Sequence, residues 1–309
     1  MDATLIAVAA LWGAATGMLV PRAAYRFSVE PEEAWRDACP AGHPLTGPGG
    51  GWFGPARCTA CASVPATHAP RTTAPADHGP DGDRVTEAAE GPEAASRPEE
   101  ARDAVPGAAP DAAPGTTRGA DRVPVPPGGR YAPRVLTPLV TALACAALAA
   151  GTGTRPELAA WLLLAPVAVL LAVVDSRVHR LPDPLTLPLA GAAILLLGAV
   201  ALLPEHAGSW TSGLLGGLVL GGFYFVLFLI NPNGMGFGDV KLALALGIAL
   251  GWYGWAVLFV GAFAGFLYGA VYGLGLVILR RAGRRTGIPF GPFMIAGALT
   301  GLLLGALAA

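Results

Sequence analysis

The sequence predicts an all-helical membrane protein that crosses the bilayer several times. Of its 309 residues, 53% are hydrophobic and only 13% are charged, a balance too apolar for an ordinary soluble domain. Apolar runs recur along the chain, most of them long enough to cross a bilayer as a helix. The net charge of −1 gives no electrostatic case for binding nucleic acid. The lipid bilayer is therefore the predicted environment.

The first third of the chain contains one apolar run and a long polar region. Residues 1–20 are predicted to form the first transmembrane helix. A cleaved signal peptide is the alternative, but no basic residue precedes the run, and Arg22 and Arg26 follow it. Residues 21–62 form a compact stretch with three cysteines. Residues 63–130 are rich in Ala, Pro and Glu and almost lack large apolar side chains, which predicts a disordered linker.

Residues 131–309 form the predicted membrane domain of seven further helices. Their predicted bounds are 134–151, 157–175, 185–203, 211–230, 239–254, 256–279 and 288–308. The run at 239–254 is short and contains glycines. Trp252, Tyr253 and Trp255 at its end resemble an interfacial aromatic belt. The prediction is thus eight membrane-spanning helices in total.

The basic residues predict the orientation of these helices. Eight crossings place ten basic residues on one side: Arg22, Arg26, Arg134, Arg177, Arg180, Lys241, Arg280, Arg281, Arg284 and Arg285. Only Arg155 falls in a loop on the other side. By the positive-inside rule the basic side is cytoplasmic, which puts both termini outside and the cysteine stretch and linker inside. Without a crossing by residues 239–254, the last basic cluster would violate the rule.

Two acidic residues stand out in the membrane domain. Only five acids occur in residues 131–309, and Asp175 and Asp239 lie at predicted span ends on the cytoplasmic face. Ionisable residues there suggest function, because burying their charge is costly. Glycine-rich residues before Asp239, including Gly236 and Gly238, would permit positive φ and close approach to a substrate strand. Two neighbouring carboxyl groups could act as acid and base on water. Two isolated interfacial acids are the alternative.

Other polar residues have simpler explanations. Lys241 could orient a substrate or tune the aspartates, but a side chain that reaches the cytoplasmic surface is the simpler interpretation. Asp183 lies between two prolines and fits loop chemistry without catalysis. Glu157 and Glu205 fall on the opposite face and are expected to be solvated.

The cysteine stretch predicts a metal site. Cys39 and His43 form Cys-x3-His, and Cys58 and Cys61 form Cys-x2-Cys, with fourteen residues between the two pairs. Four such ligands suit a tetrahedral structural zinc ion. Three reduced thiols and a solvated histidine are the alternative.

Four features occur in an order that resembles a known family. Asp175 is followed by the segment at 181–186, Leu-Pro-Asp-Pro-Leu-Thr, and Asp239 lies in the segment at 236–241, Gly-Phe-Gly-Asp-Val-Lys. A third segment, at 288–293, is Ile-Pro-Phe-Gly-Pro-Phe. The fourth feature is a cysteine-containing loop that follows the first span. Together these features resemble the type IV prepilin peptidases, which are membrane aspartyl proteases of the GxGD class.

The resemblance implies a catalytic role for the two aspartates. Asp175 and Asp239 would form the dyad, no catalytic metal would be needed, and Gly236, Gly238 and Lys241 would belong to the active-site loop. The implied substrates are pilin or pseudopilin precursors. Their short basic leader would be cut just before the hydrophobic segment, at the cytoplasmic face of a bacterial cytoplasmic membrane.

The resemblance also bears on the cysteine stretch. The family usually has two Cys-x2-Cys pairs, and Gly42 stands where one cysteine would be, so His43 would replace that ligand. Larger members also methylate the new N-terminal residue with S-adenosylmethionine. That cofactor is expected here only if the altered stretch retains the methyltransferase activity.

Other functional classes fit parts of the pattern. A transporter or permease would also contain membrane acids and glycine-broken helices, but its site would lie near the bilayer midplane. An inactive scaffold of the same fold, or a presenilin-like protease that cuts within spans, are further alternatives. The intact pair of aspartates disfavours the scaffold, and the cysteine stretch and the segment at 288–293 favour the prepilin peptidase.

Overall fold

The computed structural model describes most of the chain outside the predicted linker. The described residues are 2–30, 33–54, 57–62, 136–232, 234–279 and 288–309. The predicted disordered linker at 63–130 lies outside these ranges, as do Arg134 and the basic cluster between Arg280 and Arg285. Within the described ranges the regular secondary structure is entirely helical, which confirms the predicted class.

Eleven helices form the described part of the chain. In order they are α1 (Ala3–Gly17), α2 (Val20–Phe27), α3 (Pro48–Gly51), α4 (Thr59–Ala62), α5 (Leu136–Thr152), α6 (Glu157–Val178), α7 (Asp183–Val200), α8 (Trp210–Ile230), α9 (Phe237–Trp252), α10 (Trp255–Ile278) and α11 (Gly291–Ala308). The eight predicted spans coincide in order with α1 and α5 to α11. The short helices α3 and α4 lie in the cysteine stretch.

The helices differ in their ability to cross a membrane. Six segments of the described chain are long and apolar enough: α1 with α2, α6, α7, α8, α10 and α11. Helix α5 has 17 residues and α9 has 16, so α9 is about 24 Å long against a hydrocarbon layer of about 30 Å. Twelve residues of α9 are buried, so it lies inside the bundle. A polytopic membrane protein is confirmed, and the number of eight crossings stays a prediction.

A proline attaches α1 to α6. Pro166 lies inside α6 and has no N–H, so the Leu162 carbonyl four residues earlier loses its helical partner. The Trp12 indole N–H of α1 donates to that carbonyl at 2.8 Å. In an apolar environment an unpaired carbonyl is costly, so this bond fixes α1 against α6.

Glycines allow α8 and α9 to pack at backbone distance. A Cβ atom at Gly216 would lie 2.6 Å from the Gly247 carbonyl oxygen, and one at Gly217 would lie 2.6 Å from Ile248. Close approach of this kind supplies the van der Waals contact that associates helices in lipid. Gly222 differs, because a Cβ atom there would meet nothing within 4 Å. Gly216 and Gly217 therefore allow the two helices to pack closely, and Gly222 takes no part in this contact.

The first helical segment extends beyond its predicted end at residue 20. Only Met18 and Leu19, both in the right-handed helical conformation, separate α1 from α2, which continues to Phe27. A network of hydrogen bonds around two arginines, Arg22 and Arg26, fixes α2. These side chains are only 6% and 8% exposed. Arg22 donates to the Thr46 carbonyl at 2.6 Å, and Arg26 donates to the Gly50 carbonyl at 2.9 Å. These bonds hold α2 against the rest of the cysteine stretch.

Glu157 is buried rather than solvated, which corrects the sequence prediction. Its side chain is fully buried at the end of the bundle that holds the first turn of α6. The Tyr253 hydroxyl and the Ala207 N–H each donate to its Oε1 at 3.4 Å. Helix α9 places Tyr253 beside α6, a long-range contact that no local sequence pattern reports.

We predict that two glycine substitutions in α8 differ in their effect on stability. Gly216→Ala should destabilise the protein by about 1–3 kcal/mol, because the new methyl group overlaps Gly247 and Leu258. Gly222→Ala is the matched control and should be neutral or slightly stabilising, because its Cβ atom meets open space and alanine favours helix. Thermal unfolding of the purified proteins in detergent measures both. Equal melting temperatures for the two variants would contradict the packing described above.

Candidate active site

Asp175 lies in the last turn of α6 and is only 4% exposed. The helix ends just after it because His179 adopts a left-handed conformation, with φ 51° and ψ 38°. The His179 N–H donates to the Asp175 carbonyl oxygen at 2.8 Å. A left-handed residue other than glycine is uncommon and strained, so this turn is defined by its surroundings. After this turn the chain continues directly into α7, which begins at Asp183.

The first turn of α11 binds the Asp175 carboxyl group. The Gly291 N–H donates to Asp175 Oδ2 at 2.9 Å. The N-terminus of a helix carries unpaired N–H groups and a partial positive charge, which suit a carboxylate. A Cβ atom at Gly291 would lie 2.9 Å from Oδ2, so glycine is what allows this approach. The sequence alone did not predict this role for Gly291. The feature that could have indicated it is a glycine directly before Pro292 at the start of a helix.

Asp239 lies in the first turn of α9 and is 8% exposed. The Gly236 N–H donates to Asp239 Oδ2 at 3.3 Å, and the Asp239 N–H donates to the Gly236 carbonyl at 3.0 Å. The expectation that glycines here adopt positive φ is wrong. Gly236 is extended, with φ −73° and ψ 144°, and Gly238 lies in the helix. Their contribution is the absence of a side chain.

Two contacts join the segments that follow and precede the aspartates. A Cβ atom at Gly238 would lie 2.8 Å from the Leu181 Cβ atom, so the two backbones touch. Lys241 Nζ lies 2.6 Å from Asp183 Oδ1, and the Lys241 side chain is only 15% exposed. Lys241 therefore has a specific partner, and Asp183 does more than shape a loop. These contacts bring the segment after Asp175 against the segment that carries Asp239, so the two aspartates lie at the same end of the bundle.

Aromatic side chains cover the bundle side of the site. Tyr224 of α8 is 2% exposed, stacks on Phe266 with ring centroids 5.6 Å apart, and lies 6.1 Å from the ring of Phe290. The charge of Asp239 acts on the Tyr224 hydroxyl. Sequence analysis missed Tyr224, because one tyrosine within an apolar span carries no local signal.

The depth of the site separates the functional classes. Asp175 ends α6 and Asp239 begins α9, so both lie at one end of the bundle, on the side where the cysteine stretch packs against α6. A transporter site near the midplane would instead lie several turns inside these helices. The position therefore disfavours the transporter alternative.

Comparison with known proteins finds one family model that matches part of the chain. Residues 162–278 match the sequence model of the type IV leader peptidase family, and this segment contains both aspartates. Over this segment the chain is therefore similar to the type IV leader peptidase family. It is similar to the prepilin leader peptidase/N-methyltransferases of Aeromonas salmonicida, at 39% identity over 174 residues, and of Bacillus subtilis, at 33% identity over 172 residues.

These alignments cover part of each protein. They span 55% of this chain and 56% of the Aeromonas protein, and 54% of this chain and 64% of the Bacillus protein. A third relative of the same name, from Pseudomonas aeruginosa, is 33% identical over 58% of this chain and 59% of its own length. The chain thus matches less than two thirds of each of these relatives. No solved structure matches it.

The cysteine stretch forms a compact donor cluster. One donor atom from each of Cys39, His43, Cys58 and Cys61 lies within 4.8 Å of the others. His43 Nδ1 lies 3.6, 3.8 and 3.2 Å from the sulfurs of Cys39, Cys58 and Cys61. Zinc bonds of about 2.3 Å to sulfur and about 2.0 Å to nitrogen put tetrahedral donors about 3.5–3.8 Å apart. The four residues therefore fit a metal ion.

The local fold explains how His43 joins the cysteines. The Cys39 N–H donates to the His43 carbonyl, and the Gly42 N–H donates to the Cys39 carbonyl, both at 2.8 Å. Gly42 has φ +84°, a conformation that favours glycine and closes this turn. Burial and the adjoining cysteine sulfurs raise the pKa of Cys61 to about 12, because neighbouring thiolates repel without a cation between them. A metal ion would remove that repulsion.

We predict that the purified protein holds one thiophilic divalent metal ion per chain. Cys58→Ser should remove it, because serine is a poor ligand for such a metal. Cys145→Ser is the matched control, since Cys145 is buried in α5 away from the cluster. Elemental analysis of the proteins after gel filtration gives the metal content. A metal-free wild-type protein, or equal metal in both variants, would contradict the prediction.

Proposed function

We propose that this protein is a membrane aspartyl endopeptidase that removes the leader peptide of type IV pilin-like precursors. The observation that carries the proposal is the position of Asp175 and Asp239 at the same end of the bundle, both within the segment that matches the family. The names of the relatives support the substrate class. The transporter and the inactive scaffold are the alternatives that the experiment below separates.

The proposed chemistry uses the two carboxyl groups as base and acid. The ionised carboxylate takes a proton from a water molecule whose oxygen attacks the scissile carbonyl carbon, while the protonated carboxyl gives its proton to the carbonyl oxygen. The tetrahedral intermediate then collapses: one of its two hydroxyl groups returns a proton to the second carboxylate, the C–N bond breaks, and the leaving amine receives a proton from the first carboxyl group. The Gly291 and Gly236 N–H groups hold Asp175 and Asp239 in place throughout. No step requires a catalytic metal.

The proposed location is the cytoplasmic face of a bacterial cytoplasmic membrane. Arg22, Arg26, Arg177, Arg180 and Lys241 all lie toward the end of the bundle that holds the aspartates, which the positive-inside rule makes cytoplasmic. With eight crossings both termini are extracytoplasmic. The leader of the precursor then reaches the site from the cytoplasm, and its hydrophobic segment lies in the bilayer.

The cysteine stretch is proposed to hold structural zinc. Cys39, His43, Cys58 and Cys61 offer the donor set and spacing of a closed tetrahedral site, in which zinc ties together a segment with little core of its own.

N-methylation is a second candidate activity, because the names of the relatives include it. S-adenosylmethionine would supply the methyl group to the new N-terminal amine. Mass spectrometry of the mature precursor reads out both activities, since methylation adds mass to the cleaved product alone.

We predict that either aspartate is indispensable for cleavage. Asp175→Asn and Asp239→Asn should each lower the rate at least about a hundredfold, because an amide can neither accept nor give the proton. The measurement is leader removal from a pilin-like precursor in membranes, with each variant at matched abundance. Near-normal turnover by either variant would disprove the dyad. An intact precursor with the wild type as well would favour the transporter or scaffold.

We predict that the Asp183–Lys241 ion pair positions the dyad. Lys241→Met should lower kcat by about tenfold to a hundredfold with little change in KM, because the turn that carries Asp239 loses its attachment to α7. The double variant Asp183→Lys with Lys241→Asp should recover much of that loss by restoring the pair. A double variant no better than the single variants would show that Lys241 acts in another way.

A further inference from the structure

An apolar groove runs beside the site along the membrane-embedded length of α6. It encloses a cavity of about 400 Å³ between α5 on one side and α6, α9 and α11 on the other. Small side chains form much of its wall: Ala144, Ala168, Ala172, Ala249 and Ala296. Because alanines leave room that larger residues would fill, α5 stands away from the rest of the bundle here.

One end of the groove is lined by residues that adjoin Asp175 and Gly291 in the sequence. Its lining includes Ser176, which follows Asp175, and Pro292, which follows the glycine whose N–H binds Asp175. From Ser176 it extends to Trp161, fifteen residues and thus about 22 Å along α6. That distance is most of a bilayer's hydrocarbon thickness of about 30 Å. The groove therefore leads from the membrane interior to the site.

A single unpaired polar group lies at the same end of the groove. The Thr137 hydroxyl is buried, with the residue 8% exposed, and it has no hydrogen-bond partner among the described residues. An unpaired hydroxyl in an apolar environment is costly. A polar group that enters this end of the groove would remove that cost.

We propose that this groove seats the apolar helix of the precursor, an inference that rests on the proposed peptidase function. Helices associate in lipid by close approach over small residues, which is what the alanine-lined wall offers. A helix laid along α6 with its N-terminal end beside Ser176 presents the peptide bond just before it to Asp175 and Asp239. The same geometry explains why the cut falls at the border between leader and apolar segment.

Filling the groove tests the proposal kinetically. Ala168 lies seven residues before Asp175, about 10 Å along α6, so Ala168→Trp fills the groove without touching the dyad. We expect KM for a membrane-anchored precursor to rise about tenfold with little change in kcat. Ala270→Trp is the matched control, because Ala270 is exposed on α10, outside the groove. Unchanged KM for a folded Ala168→Trp protein would overturn the proposal.

Photo-crosslinking tests the same point with an unaltered groove. The probe is a precursor with a short basic leader, an apolar helix of about 20 residues and a benzophenone side chain in mid-helix. It is bound to the Asp239→Asn protein, which should hold the precursor without cutting it. Adducts on α5, α6 or α11 would support the groove. Adducts on α8 or α10, or on lipid alone, would overturn it.

The two proposals fail in distinguishable ways. If the wild-type protein cleaves the precursor but adducts map elsewhere, the peptidase function stands and the groove is wrong. If the wild-type protein does not cleave it, the peptidase function fails and the groove proposal falls with it. The crosslinking result decides the matter if Ala168→Trp does not fold.

Discussion

The site depends on placing two carboxyl groups in a largely apolar bundle without leaving them unpaired. Asp175 is held by the N–H of Gly291 at the start of α11, and Asp239 by the N–H of Gly236 at the start of α9. Helix N-termini supply these donors because their first N–H groups have no partner within the helix. The arrangement therefore requires two helices to begin at the level where α6 ends. That requirement fixes the site at one end of the bundle and makes the connecting turns part of the active centre.

Those turns are held by contacts that leave little freedom. Gly238 touches Leu181 at backbone distance, and Lys241 pairs with Asp183 across the same junction. His179 accepts a strained conformation to reverse the chain after α6. The contacts of Gly238 with Leu181 and of Lys241 with Asp183 both join the segment after Asp175 to the segment around Asp239. The separation of the carboxyl groups is thus set by the backbone, as acid–base chemistry on a single water molecule requires.

Sequence could predict the helices and both aspartates, because apolar runs and rare membrane acids are local signals. It could not predict contacts between distant residues. Glu157 was expected in water because it adjoins a loop, but Tyr253 and Ala207 arrive from other parts of the chain and bury it. Gly236 was expected at positive φ, although glycine there is needed for its small size. Likewise, the role of Gly291 follows only from the meeting of α11 with α6. The four metal-ligating residues could be predicted from the sequence, because their spacing is a local pattern.

The helices pack tightly in one part of the bundle and leave an open groove in another. Glycines bring α8 against α9, and α10 against α11, at distances where an added methyl group would overlap backbone atoms, so the helix that carries Asp239 is held closely against α8. Between α5 and α6, by contrast, alanines form much of the wall of an apolar groove. Small residues thus serve two purposes: glycine where helices must touch, and alanine where a further helix has room to enter. A protease that acts on a membrane helix, as proposed for this protein, needs both, because the scissile bond has to reach a fixed pair of carboxyl groups in register. In that proposal the groove beside α6 meets the need, because Ser176 at its end directly follows Asp175.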